Sequence, residues 1–188
     1  MINIIIFCVF FTNAYGYFTI PGKCPENVAV QDDFRLADFY GKWYQAYHYS
    51  SDGQNLNNCS TLELMTRPSG IYLNQSRIDR GLFHRYSVGK IEIPTRVEDA
   101  ANLELIFAYK NAPRRLKTRK YPFKVLATNY NYYATVYTCQ YSPLIDKHFM
   151  YVWILSRNPS LNDRNKCVPK YYDDVPLEPM TFRFPVPI

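Results

Sequence analysis

The chain has three histidines, His48, His84 and His148, the side chains best suited to hold a haem or a metal ion. They stand singly. No His-x-His or His-x-x-x-His spacing sets two imidazoles side by side, and no Cys-x-x-Cys pair stands near them, so no metal site is expected and they read as surface or pocket-rim residues. Nucleophilic chemistry is equally short of material. There is no Gly-x-Ser-x-Gly elbow and no P-loop, and serine, histidine and acid form no local constellation. Asp32-Asp33 and Asp173-Asp174 lie in loop-like stretches and read as solvated charge. The expectation is a binding protein with no catalytic residues.

Cations are the remaining polar resource. The formal net charge is +6, and Arg114, Arg115, Lys117, Arg119 and Lys120 form one basic stretch. Such a run can bind nucleic acid. In a secreted, disulfide-bonded chain it reads instead as a solvated loop between strands, or as cations at a pocket mouth that meet a ligand carboxylate. No nucleic-acid partner is expected. Secretion is read from the N-terminus. The apolar run Ile4–Phe11 is too short to span a bilayer and ends near Ala14-Tyr15-Gly16, a small-x-small cleavage site. Residues 1–16 are expected to be a secretory signal peptide and 17–188 a single domain, extracellular and with no membrane span. Removing the leader leaves Cys24, Cys59, Cys139 and Cys167. An even number in an oxidising compartment predicts two disulfides, and the spacing leaves all three pairings open.

Aromatics make up 17% of the chain, with 18 Tyr and 12 Phe, which favours strands around a well-filled interior. After an irregular stretch from Phe18 to Asp38, eight strands are predicted: Trp43–Tyr49, Thr61–Thr66, Ile71–Ile78, Phe83–Ile93, Asn102–Tyr109, Tyr121–Thr128, Tyr132–Gln140 and Phe149–Ser156. Many short strands with turn residues between them argue for an all-β barrel or sandwich. Met180–Phe184 could add a ninth, before Pro185 and Pro187 end regular structure.

Three pieces in order, Gly41-Lys42-Trp43-Tyr44, Thr128-Asn129-Tyr130 and Ile154-Leu155-Ser156-Arg157, resemble the signature regions of the lipocalin family. The resemblance implies an eight-stranded antiparallel up-and-down barrel that holds one small hydrophobic ligand. It also implies that Arg157 lies across Trp43 at the closed end, that Gly41 permits a close backbone approach there, and that Thr128-Asn129-Tyr130 makes the turn at that end. The usual family pattern has Asp where Asn129 stands. The helix that follows the barrel in lipocalins would fall on Asn158–Tyr172, where Pro169 makes it short or broken.

Further pieces, Gly22-Lys23-Cys24-Pro25, the ungapped spacing from Gly41 to Cys59, Val125–Tyr130, Tyr133-Ala134, Cys139-Gln140-Tyr141 and Val152–Arg157, resemble the insect bilin-binding and insecticyanin branch. That branch implies Cys24–Cys139 and Cys59–Cys167 pairings and non-covalent biliverdin as ligand. Colourless hydrophobic ligands (fatty acid, sterol, carotenoid, odorant), or a surface-acting interaction protein, are the alternatives. Exposed Tyr-rich faces also make a homo-oligomer possible.

Strand parity then proposes the pocket. Gln45 and Tyr47 would share the face of Trp43. Ile71, Leu73, Gln75 and Arg77 would form a second row, and Leu103, Leu105, Phe107 and Tyr109 a third. Thr138 with Gln140, and Phe149, Tyr151 and Trp153, would complete it. The ligand set is Tyr47, Leu73, Gln75, Arg77, Leu105, Phe107, Tyr109, Arg119, Tyr121, Thr138, Phe149 and Tyr151, with Arg77, Arg119 or Lys120 as the cations. Asn74, facing out, begins a glycosylation sequon, and Asn58 begins a second.

Overall fold

The computed structural model describes residues 20–51, 60–79, 83–96, 100–108, 117–159 and 178–179. The predicted signal peptide, the Cys59–Cys167 pair, Asn58, Tyr109, the post-barrel helix and the strand at 180–184 lie outside the described residues. Among the described residues there are ten strands: β1 (Ile20–Pro21), β2 (Gly41–Ser50), β3 (Thr61–Arg67), β4 (Gly70–Asp79), β5 (Phe83–Glu92), β6 (Asn102–Ala108), β7 (Thr118–Thr128), β8 (Tyr133–Ser142), β9 (Lys147–Ser156) and β10 (Glu178–Pro179). One short helix, α1 (Leu36–Phe39), precedes β2.

Strands β2 to β9 pair with their sequence neighbours, all antiparallel, and β9 returns to pair β2. The eight strands therefore close into an up-and-down barrel, which removes the exposed sheet edges. β1 adds a short antiparallel piece to β9, and β10 runs parallel beside Arg85–Tyr86 of β5.

Inward and outward residues alternate, and the charges sort accordingly. On β6, Leu103, Leu105 and Phe107 are buried while Glu104 is exposed. Glu104 and Glu92 both hold Lys120 Nζ, at 2.9 and 2.8 Å, on the outer wall. Gly89 faces inward on β5. A Cβ there would lie 2.5 Å from Leu105 Cδ1, so the missing side chain makes room for the β6 row.

The lower half of the barrel is a solid apolar core of Trp43, Leu62, Leu64, Leu73, Leu103, Leu105, Phe123, Val125 and Leu155. Phe34 and Phe39 close it from below, with Phe39 against Trp43 at 5.0 Å between ring centroids. An N-terminal strap then runs up the outside of the β7–β8 seam. Arg35 N donates to the Tyr130 hydroxyl at the bottom, and Gln31 N donates to Val125 O higher up. Above these, Glu26 O accepts from Lys124 Nζ and Cys24 is bonded to Cys139. At the top, Gly22 N donates to Asp146 O. The strap explains why Tyr137, which faces outward, is buried, and burial pushes its hydroxyl pKa up.

Candidate ligand-binding site

The closed end is built around one cation. The Arg157 guanidinium lies 3.6 Å from the Trp43 ring centroid. It donates from Nε to Tyr130 O, from Nη1 to Lys42 O, and from Nη2 to Tyr40 O, Phe39 O and Asp38 O. Trp43 Nε1 in turn donates to Phe39 O at 3.0 Å. Gly41, at φ 91°, sits where a Cβ would press on Arg157 Nη1 at 3.4 Å.

The β7–β8 turn lies at the same end. Asn129 Oδ1 accepts from the backbone N–H of Tyr132 and Tyr133, and Thr128 Oγ1 accepts from Tyr130 N. Asn129 thus supplies the turn's acceptor without a charge, and Tyr130 takes the left-handed backbone that the turn requires, φ 64°.

Above the core the inward rows change character. His48, Ser50, Gln75, Arg77, Ser87, Arg119, Tyr121, Thr138, Gln140, Phe149, Tyr151 and Trp153 face in by register, and each keeps part of its surface accessible. Residues packed solidly inside a barrel lose that surface, as Trp43 and Val136 do at 0%. The upper interior, or cup, is therefore less tightly filled than the floor, and it lies towards the β8–β9 turn at 143–146. Its wall is aromatic on one side, where Trp153 stacks on Tyr151 and lies 5.7 Å from His48. It is cationic where Arg77 and Arg119 enter.

Three interior polar atoms are buried and without a hydrogen-bond partner: Gln45 Oε1, level with Leu155 of the apolar floor, and Ser87 Oγ and Trp153 Nε1. Buried polar groups are ordinarily hydrogen-bonded, and an unmet one costs about 1–3 kcal/mol.

Residues 103–168 match the lipocalin / cytosolic fatty-acid binding protein family. Apolipoprotein D of Mus musculus is 31% identical over 153 residues, covering 80% of this chain and 75% of that protein. This chain belongs to the lipocalin family. Insecticyanin-B of Manduca sexta is 29% identical over 157 residues, covering 84% of this chain and 74% of its own length. The solved structure of insecticyanin from that hornworm superposes with a TM-score of 0.61 at 26% identity, covering 74% of this chain and 71% of that one. Lipocalins are ligand-binding and transport proteins rather than enzymes, and the closed end of this one has the Trp–Arg cap that the motifs implied.

The structure redistributes the expected ligand set of this lipocalin. Gln75, Arg77, Arg119, Tyr121, Thr138, Phe149 and Tyr151 face the upper interior by register. Leu73, Leu105 and Phe107, at 2, 6 and 7% exposure, belong to the solid core beneath it. Tyr47 points out of the barrel, 66% exposed. The register of β2 against β9 slips at Ala46, where Gln45 pairs Leu155 and Tyr47 pairs Ile154, and this bulge reverses the parity of everything beyond it. His48 and Ser50 turn inward in consequence, which simple alternation from Trp43 missed. Ser87 was missed for a different reason: β5 was recognised as a strand and no face was assigned to it. Lys90 and Glu92 on its outer face carried that information.

Lys120 faces outward, tied to two glutamates, and is not a pocket cation. Asn74 faces outward between β3 and β5 as expected, yet its Oδ1 is buried there. Cys24 and Cys139 are bonded, with their Cα atoms 5.9 Å apart, as the family resemblance implied. No helix among the described residues is long and apolar enough to cross a membrane.

Proposed function

We propose that this lipocalin is a secreted, non-enzymatic carrier that holds biliverdin non-covalently in its cup. The observation that carries the reading is the upper interior wall, where Tyr151 stacks on Trp153 and Arg77 and Arg119 face in above an apolar floor. A hydrocarbon chain or carotenoid carries no anion to meet those arginines. A linear tetrapyrrole is conjugated and flat, which suits the stacked Tyr151–Trp153 wall, and it brings both N–H donors and lactam carbonyl acceptors. Its two propionates match the arginines of the cup. The branch motifs and the match to insecticyanin-B support the same ligand. Secretion is supported by the Cys24–Cys139 bond, which belongs to an oxidising compartment.

The polar atoms give the direct test. Trp153→Phe keeps the aromatic wall and deletes the indole N–H. It is expected to weaken biliverdin about 5- to 10-fold, the effect of one buried hydrogen bond. Binding of a fluorescent fatty acid should be unaffected. An equal loss for both ligands in fluorescence titrations would show that Trp153 contributes packing alone and would count against a ligand that accepts from its indole N–H.

A further inference from the structure

At the β7–β8 seam the ladder stops while both strands continue beyond it. The ladder pairs Thr128 with Ala134, passes a bulge between Val125 and Ala127, and ends at Lys124 opposite Tyr137. Above that point β7 continues on its β6 side alone, from Pro122 to Thr118, and β8 continues on its β9 side alone, to Ser142. Pro122 sits where the two part. It has no N–H to offer β8, and its carbonyl is capped instead by the Thr138 hydroxyl.

A cavity of about 230 Å³ occupies the parting, lined by Arg119, Lys120 and Tyr121 of β7 and by Cys139, Gln140 and Tyr141 of β8. Three consecutive residues of a strand present both of its faces. Arg119, Tyr121 and Gln140 belong to the interior. Lys120, Cys139 and Tyr141 belong to the outside. A space that touches all six lies in the seam itself, between residues of the inner and the outer face. Its outer rim is fixed on each side: Lys120 is held by Glu92 and Glu104, Cys139 is bonded to Cys24, and the Tyr141 hydroxyl donates to Asp146.

We propose that this cleft is a carboxylate subsite: an acidic arm of the ligand leaves the cup sideways between β7 and β8, with its oxygens against the Arg119 guanidinium and the Gln140 amide. The chemistry of the lining assigns the arm. Arg119 is the interior cation on the cleft, planar and able to grip a carboxylate with two parallel N–H donors, and the Gln140 amide can add a third. Lys120 adds no net attraction, because two carboxylates already neutralise it. The volume accommodates a short carboxyalkyl arm and not a whole tetrapyrrole, so the body of the ligand stays in the cup. This rests on the carrier reading above and adds where, and through which cation, the ligand's charge is held.

The test compares acids with their esters. Biliverdin and its dimethyl ester, and parinaric acid and its methyl ester, are titrated into the full chain and followed by visible absorbance and by fluorescence. The wild type is expected to prefer each acid. Arg119→Gln should weaken the acids about 10-fold or more and leave the esters within about 2-fold, the signature of one lost charge-assisted contact. Gln140→Trp, which fills the cleft, should abolish the same preference, so the result does not depend on one variant folding. Arg77→Gln, the other interior arginine of the cup, should keep it. An acid preference that survives Arg119→Gln and disappears in Arg77→Gln would overturn the cleft and place the charge at the cup mouth. Equal wild-type binding of acids and esters would also overturn it while leaving the carrier reading intact. Binding of neither class would overturn both.

Discussion

Replacing Arg157 with alanine should destabilise the protein by roughly 3–4 kcal/mol in denaturant unfolding, the largest effect expected of any residue far from the cup. One guanidinium serves five backbone carbonyls on three separate segments: the α1 region (Asp38, Phe39, Tyr40), the start of β2 (Lys42) and the β7–β8 turn (Tyr130). It also covers the Trp43 ring, a contact that contributes about 1–2 kcal/mol when desolvated. Burial lowers its pKa, so the charge is held there at a cost that the carbonyl dipoles offset. Truncation removes the side-chain donor from all five carbonyls, of which those of Tyr130, Phe39 and Tyr40 are part-buried. Arg157→Lys should recover less than half of the loss, because an ammonium cannot fork to carbonyls on both sides. A loss under about 1 kcal/mol in Arg157→Ala would mean that water reaches those carbonyls and that the cap is not what closes the barrel.

The second large effect is at the top of the strap. Cys24 and Cys139 are 115 residues apart in sequence, and closing a loop of that size removes about 4–5 kcal/mol of denatured-chain entropy in the simple loop model. The double variant Cys24→Ser, Cys139→Ser should therefore lose about 3–5 kcal/mol in urea unfolding. Because the bond also forms part of the cleft rim, amide exchange should rise first along β8 from Thr138 to Ser142, where no β7 ladder supports the strand. The strap hydrogen bonds at Lys124, Val125 and Thr128 are expected to hold its lower half in place. A change below about 1 kcal/mol would assign the strap's stability to those contacts instead.

Much of this fold was legible because its periodicity was simple. The eight strands of the barrel occur near their predicted positions, and the three signature pieces meet at one end as their order implied. What escaped was local and physical. The bulge at Ala46 inverts Tyr47 and His48, and no residue type there announces it, since alanine is tolerated on either face. The division of the interior into solid floor and open cup was also hidden. Leu73, Leu105 and Phe107 alternate as well as Gln75 and Arg77 do, and only packing against Leu62, Leu64 and the Gly89 gap shows that they are filled in. Lys120 looked like a pocket cation within a basic run. Its parity opposes that of Arg119, and the two glutamates that claim it come from neighbouring strands distant in sequence.

The measurement closest to the central claim is a visible absorption titration of the apo protein with biliverdin. A cup that binds the tetrapyrrole between the Tyr151–Trp153 wall and its polar atoms should hold it in one extended, shielded conformation. The predicted result is a red-shifted, structured visible band that saturates at one ligand per chain with micromolar or tighter affinity. A spectrum that remains that of free biliverdin at micromolar protein, in a sample that still binds parinaric acid, would contradict the account and leave this lipocalin a carrier of colourless lipid.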